Sequence, residues 1–481
     1  MHVLTALDAR RIQDFVFASN RLTDIAAGSR LIENFLAEEK IARLANGDGG
    51  ELILAAGGNV WAQFPSRDAA RGFAGRISYA AAKDLPGLEF AASHVPFSPG
   101  DLGSALVTAG EALARTKLAP PLFAPLLGIA VNGRCPGTGR PAVALHRSDN
   151  TYRPRSSELL ARDNVGVQVP GRGNGAAGPD YPLEFDHLGG TKGDTCQIAV
   201  VFLDGNGIGS KLRASLLSAQ GQPDNWVVER FRTISSGLRA RMSGAWHAVE
   251  ARCTNAIRGA QLQSSQPGRH FDLHSGYLPL RPILQGGDDL TFVCDGRIGL
   301  ELAATALRAF SGEVPELGQV SACAGVSIVG HHFPVSRALE MAHEECVAAK
   351  RQAVRKGHAG AALSWRAGEL TPAVTRRPYL LGAADGALDW EWFSGELLGV
   401  QKSGLNGEVW RAARNKMKRL GSLALQPAEL QRELRAWRNV NDALQLPAPL
   451  DDSGRPPTGD SPLLDAVELS DLYWALPEVT K

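Results

Sequence analysis

Three carboxylates define the chemistry this chain is equipped for. Asp288 and Asp289 stand side by side in "LQGGDDLTFV", directly after Gly286 and Gly287, and Asp204 ends the apolar run of "CQIAVVFLDGNGIGS". Hard oxygen donors of this kind suit Mg²⁺ or Mn²⁺, which bind through one or two carboxylates plus substrate phosphates. Glycines permit close backbone approach, and the loop Gly205-Asn206-Gly207-Ile208-Gly209-Ser210, ahead of a helical stretch, offers amides to a phosphate. These are the parts of a two-metal nucleotidyl-transfer site, in which one ion activates a 3′-hydroxyl and the other stabilises departing pyrophosphate. Taken alone, Gly-Gly-Asp-Asp is more often only a turn, since both residue types favour turns. Asp204, placed in the right order at the end of an apolar strand, moves the balance toward catalysis. Lys350, in "HEECVAAKR", is either a triphosphate ligand or simply a cation where a helix C-terminus favours one.

The elements that must position these residues are legible around them. Phe231, Ile234, Leu238 and Met242 recur at helical spacing, and "RPILQGGDDLTFVCDG" reads as a β-hairpin. Leu302, Ala303, Ala306, Leu307 and Phe310 mark a further helix, "VSACAGVSIVG" a strand, and Val335, Ala338, Leu339, Ala342, Cys346 and Ala349 a closing helix. The order β, α, ββ, α, β is the ferredoxin-like arrangement, in which the first strand and the hairpin can be neighbours, so that Asp204 and Asp288 converge. The N-terminal third repeats this order more faintly. "VLTALDA" ends in Asp8, and "LILAAGGNVWAQF" forms a hairpin, so that Asp8 corresponds to Asp204 and Gly57-Gly58-Asn59 to Gly286-Gly287-Asp288. The expected fold class is therefore α+β. Two tandem ferredoxin-like domains cover residues 1–147 and 194–365, and only the second keeps its acidic turn. A linker or insertion rich in Gly, Pro, Asn and Arg covers 148–193, and a small helical domain covers 366–481.

Bulk composition narrows the partners. The chain has 481 residues, 51 basic against 50 acidic, for a formal net charge of +1, so it carries no global nucleic-acid signature. The basic run Arg411, Arg414, Lys416, Lys418, Arg419 is a solvated helix face or, less often, a nucleic-acid contact. Six scattered cysteines without any CxxC pair support neither a zinc site nor a disulfide framework, and reduced thiols point to a cytoplasmic protein. No signal peptide or membrane span is expected.

The motifs together resemble the large polymerase/cyclase subunit of type III CRISPR effectors, of the Cmr and Csm kind. "LDARRIQDFVFASNRLTDIAAGSRLIENF" is similar to that family's opening strand and helix, "VVFLDGNGIGSKL" to its nucleotide-binding strand and loop, and "ILQGGDDLTFV" to its signature turn. "VSACAGVSIVGHHFPVSRALEMAHEECVAAK" is similar to its closing strand and helix, including Lys350. The resemblance implies two palm domains facing each other, the first degenerate, with ATP joined 3′ to 5′ between them into cyclic oligoadenylates for antiviral defence. Carried over, Asp204, Asp288 and Asp289 act in catalysis and, with the carbonyl of Gly205, hold the metals. The loop 205–210, Gly286, Gly287 and Lys350 bind nucleotide, and Gly57-Gly58-Asn59 marks the inactive partner palm. The chain looks like a short form, because no His-Asp dipeptide announces an HD nuclease domain and the family's cysteine cluster is missing. The partners expected are ATP or another NTP, effector subunits and RNA. Two other readings remain: a non-catalytic palm scaffold that binds RNA and partner proteins, and a diguanylate-type cyclase. The latter is disfavoured by two palms in one chain and by "RPILQ" where an RxxD motif is expected.

Overall fold

The computed structural model describes residues 2–118, 133–148, 151–163, 165, 180–189, 196–219, 221–368, 378–382, 389–401, 403–456 and 461–477. In the first unit, strand β1 (His2–Arg10) leads into three helices, α1 (Ile12–Val16), α2 (Leu22–Phe35) and α3 (Glu38–Asn46). The hairpin β2 (Glu51–Ala56) and β3 (Asn59–Phe64), then α4 (Arg67–Asp84), β4 (Glu89–Phe97) and α5 (Leu102–Leu118) complete it. The strands lie in the order β2-β3-β1-β4. An inner strand covered on both faces needs apolar side chains without alternation, and β1 is buried from Val3 to Ala9.

Part of the segment that reads as a linker is folded. A hairpin, β5 (Ala144–Ser148) and β6 (Thr151–Arg155), leads to α6 (Ser157–Asp163). Arg162 of α6 is 1% exposed and donates to the carbonyls of Phe15, Val16 and Asp24, which pins this helix to the first unit. Composition could not show this, since a buried arginine is acceptable only where carbonyls meet it.

The second unit repeats the plan with insertions. Strand β7 (Gln197–Gly205) is followed by α7 (Ile208–Leu217), the long α8 (Asp224–Asn255) and a small sheet of β8 (Ile257–Arg258), β9 (Gln261–Gln263) and β10 (His270–Asp272). Then come the hairpin β11 (Leu280–Gln285) and β12 (Asp289–Asp295), α9 (Gly299–Phe310), a short hairpin of β13 (Gly312–Val314) and β14 (Gly318–Val320), β15 (Ala322–Gly330) and α10 (Val335–Arg355). The order β11-β12-β7-β15 matches the first sheet, and β16 (Ala362–Ala367) and β17 (Tyr379–Leu380) extend it. The C-terminal helices α11 (Trp390–Trp392), α12 (Glu408–Ala412), α13 (Arg414–Leu423), α14 (Pro427–Val440) and α15 (Leu463–Leu469) share one core with this unit. A single apolar cluster runs from Val201, Ile234 and Leu307 through Trp365 to Trp390, Trp410, Leu434 and Tyr473.

The two units are packed as one body. Phe15 and Ile25 of the first share a core with Phe202, Ile283 and Leu339 of the second, and Leu4 and Leu106 share another with Leu216 and Phe231. Arg232 on α8 donates to the carbonyls of Leu52 and Ile53 at 2.9 and 3.0 Å. The helix that closes each unit is capped by the other. Asp224 accepts from the amides of Gly100 and Leu102 at the start of α5, and the Asn20 side-chain oxygen accepts from the amide of Val335 at the start of α10. Each satisfies amides that a helix leaves without an internal partner, a contribution of about 1 kcal/mol.

Candidate active site

The carboxylates meet because of strand register. Strand β12 pairs antiparallel with β7 so that Asp289 lies directly opposite Asp204, and β15 places Cys323 against Asp204 from the other side. Opposed residues share one face of a sheet, so Asp204 and Asp289 project together. The Gly286 amide donates to the Asp289 carbonyl at 2.8 Å, which leaves Gly287-Asp288 as the tip of the turn, and the Asp288 carbonyl accepts from Gly205 at the same distance. Glycine is required at two of these points. A Cβ on Gly286 would stand 1.5 Å from Asp289 Oδ1, and one on Gly205 would stand 2.6 Å from Ile208 Cγ1 and 3.1 Å from Asp288 Cβ.

Lys350 reaches in from α10. Its ammonium donates to Asp204 Oδ2 at 2.5 Å and to the Gly205 carbonyl at 2.8 Å, the two oxygens read from the sequence as metal ligands on this strand. One ammonium does not neutralise three carboxylates. Burial, then the charge of Asp204, raises the pKa of Asp288, and burial, then Asp288 and Asp204, raises that of Asp289 to about 6. Surplus negative charge on hard oxygen donors, already drawing a cation between two of them, is the donor set a small divalent ion requires. Among the described residues no three His, Cys, Asp or Glu side chains form a ready-made metal cage.

The loop after β7 leads directly into the N-terminus of α7. Gly207 takes a left-handed backbone (φ 63°), α7 begins at Ile208, and Gly209 and Ser210 are exposed, so first-turn amides face solvent. Asn206 is not free to join them. Its amide donates to the Ser321 carbonyl at 2.8 Å, and its side chain to Ser321 Oγ at 2.9 Å and Gly360 O at 3.2 Å. It is the anchor of the loop. Ser321, which in turn donates to Ala359 O, was not singled out in the sequence because nothing local marks a lone serine ahead of a strand.

The first unit carries the same frame with different charges. Asp8 lies opposite Asn59 as Asp204 lies opposite Asp289. Both edge strands bulge at an isoleucine four residues before the first residue of the turn tip: Ile53 ahead of Gly57, and Ile283 ahead of Gly287. This register corrects the sequence alignment of the repeat by one residue. Gly57 matches Gly287, Gly58 matches Asp288, and Asn59 matches Asp289. The two turns abut, since a Cβ on Gly57 would lie 3.1 Å from the Gly287 amide nitrogen. A lysine is retained as well. Lys117 pairs with Asp8, and Lys117 and Lys350 are each the sixteenth residue of their closing helix.

Beside the turns lies a cavity of 1330 Å³ between the units, which reaches Gly57 and Gly58 on one side and Gly286 and Asp289 on the other. Arg11, Arg30, Arg239 and Arg281 line it together with Asp14, Glu33, Glu38 and Asp289, so its wall is mixed in charge rather than cationic. Arg281 is buried, which pushes its pKa down to about 10. These arginines come from three separate stretches of chain, so no sequence motif could have collected them. Asp204, Asp288 and Lys350 do not line this cavity. The basic run in α12 and α13 is largely spent on ion pairs, with Arg414 and Lys418 on Asp471 and Arg419 on Glu433.

No family model and no curated protein matches the chain. Solved structures do. A Csm1-Csm4 cassette in complex with cA4 superposes with a TM-score of 0.54 at 14% identity, covering 98% of this chain and 70% of that one. A Csm1-Csm4 cassette in complex with pppApA gives 0.54 at 15% identity, with 98% and 69% covered. Csm1 in T. onnurineus gives 0.56 at 14% identity, with 97% and 68% covered. The resemblance to large type III CRISPR subunits read from the motifs thus extends to the fold over nearly the whole chain. Among the described residues no helix is long and apolar enough to cross a membrane.

Proposed function

We propose that the chain is a divalent-metal-dependent nucleotidyltransferase that joins ATP 3′ to 5′ into short cyclic oligoadenylates, in a type III CRISPR effector. The observation that carries this reading is the register of Asp289 opposite Asp204, with Asp288 at the turn and Lys350 bonded to Asp204 and Gly205. In this reading residues 1–147 and 194–365 are paired palm domains, the first degenerate, and 366–481 is a helical support. Asp204, Asp288, Asp289 and the Gly205 carbonyl would hold Mg²⁺ or Mn²⁺. When bound, such an ion polarises phosphoryl oxygens and lowers the pKa of an attacking hydroxyl.

The chain's own residues do the positioning. The amides of Ile208, Gly209 and Ser210 would take phosphate oxygens at the start of α7, and the Lys350 ammonium, held beside the turn by Asp204 and the Gly205 carbonyl, would be within reach of the triphosphate. Asn206 keeps the loop from shifting through Ser321 and Gly360. The cavity next to the turns, lined by arginines and carboxylates alike, offers room for the growing product. Neighbours bound to cA4 and pppApA and assembled with Csm4 support both the product class and a Csm4-like partner.

The test is mass spectrometry of products after incubation with Mg²⁺ or Mn²⁺ and all four NTPs, with and without RNA and effector subunits, beside the Asp288→Ala/Asp289→Ala protein. A cyclic adenylate made only by the intact chain is the expected result. Absence of any product under all activators, with partner binding intact in both proteins, would replace this reading by a scaffold.

A further inference from the structure

Two helices reach across the interface, each lying on the edge strand of the other unit: α2 on β11, and α8 on β2. An edge strand with a bulge has a particular weakness. The extra residue falls out of step with its neighbour, so consecutive carbonyls lose the ladder. Ile53 is that residue in β2, between the pairs Leu52–Ala62 and Leu54–Trp61. The second unit supplies what the ladder does not. Arg232 of α8 spreads its guanidinium across the bulge, Nε donating to the carbonyl of Ile53 at 3.0 Å and Nη2 to that of Leu52 at 2.9 Å. Its Nη1 lies 3.7 Å from Glu229 Oε1, one turn earlier on the helix, which orients the fork. The adjacent residue grips the other strand of the hairpin, since the ring of Phe231 meets Trp61 of β3 edge-on with centroids 5.7 Å apart. Ile53 is itself buried in the apolar cluster to which Phe231 and Leu216 belong. All of these contacts fall on the hairpin that ends in Gly57-Gly58, four residues beyond the bulge, and Gly57 abuts Gly287 beside Asp288.

We infer that Arg232 is a positioning residue: by pinning the bulge of β2 it sets the gap between the turns of the two units. The inference rests on the nucleotidyl-transfer reading, in which two nucleotides must meet across that gap, and adds the residue that fixes its width. A guanidinium is planar and forks onto two acceptors at once, so it fixes direction as well as distance, which a lysine ammonium does not. The bonds of Arg232 go to the backbone of the first unit and to Glu229, so its effect on the acidic site passes through the turn. A misplacement of about 1 Å between reacting groups can cost on the order of 10²-fold in rate while each nucleotide still binds.

Hydrogen exchange and product kinetics on the full chain, intact and as Arg232→Ala and Arg232→Lys, test this. Exchange should speed up over β2 and β3 in both variants and stay unchanged over β11 and β12. In turnover of ATP with Mn²⁺, kcat should fall on the order of 10²-fold in Arg232→Ala, with KM and calorimetric Mn²⁺ affinity kept within about twofold. Arg232→Lys, which keeps the charge without the fork, should lie between, and added methylguanidinium should restore part of the kcat of Arg232→Ala. Thermal melts accompany each variant. An arginine that only adds stability would lower the melting temperature and leave kcat per folded molecule unchanged, and that result overturns the inference. Unchanged exchange over β2 and β3 in Arg232→Ala overturns it too, whatever the activity does, and leaves the transferase reading intact. No product from the intact chain under any activator removes the transferase reading, and the inference falls with it. If Arg232→Ala does not fold, Arg232→Lys carries both measurements.

Discussion

Asp8 with Lys117 in the first unit, and Asp204 with Lys350 in the second, occupy the same places in the same sheet order, at the ends of closing helices each capped from across the interface. The units part at two adjoining turn positions, Gly58-Asn59 against Asp288-Asp289. The frame is common, and two carboxylates convert a neutral pair into a pocket with excess negative charge. Chemistry of this kind is cheap to lose, because removing an acidic side chain from a turn relieves repulsion rather than opening the core.

The comparison breaks most severely at the acidic turn itself. Asp288→Ala/Asp289→Ala should lower product formation on the order of 10³-fold or more, checked by mass spectrometry, and the melting temperature should rise as buried like charges are removed. A fall in both activity and melting temperature would mean that the turn is structural. The reverse experiment, restoring the acids to the first unit with Gly58→Asp/Asn59→Asp, should not create a second active site. Gly58 has φ 85°, a left-handed backbone that costs a side chain about 1–3 kcal/mol, and its Cβ would meet Ile12 Cδ1 at 2.6 Å. Urea denaturation should show that loss, and product formation should not increase.

A pH series sharpens the contrast further. Asp289 has its pKa raised from 3.8 to about 6, so between those values the folded protein holds a proton the unfolded chain has released. Stability therefore falls as pH rises through that window, while Mn²⁺ affinity rises with it and loses about tenfold per unit below pH 6 for each proton displaced. Asp289→Asn should flatten both trends, and an unchanged slope would remove Asp289 from the cation site. The smallest effects belong to the shared frame. Asp224→Ala and Asn20→Ala should each cost about 1 kcal/mol through lost caps on α5 and α10, measured by urea denaturation. The second should also weaken nucleotide binding slightly, since α10 carries Lys350.

Much of this was legible because the signals are local. The apolar runs ending in Asp8 and Asp204, the glycine-flanked turns and the helical spacing around Val335 to Ala349 each occupy one short stretch, and burial on both faces of a central strand dictates such composition. The sequence by itself thus determined the α+β order of elements, the repeat, and Asp204, Asp288, Asp289 and Lys350 as the residues of interest. Only the tertiary structure decided the rest. The one-residue shift that matches Gly58 with Asp288 depends on bulges at Ile53 and Ile283, and a bulge is set by pairing with another strand. The anchoring of Asn206 by Ser321 and Gly360, the mixed-charge lining of the cavity between the units, and the Lys117–Asp8 pair each join residues distant in sequence. Spacing along the chain carries no information about such meetings, since they arise where separately folded elements pack, and it is there that the charge of a pocket is finally set.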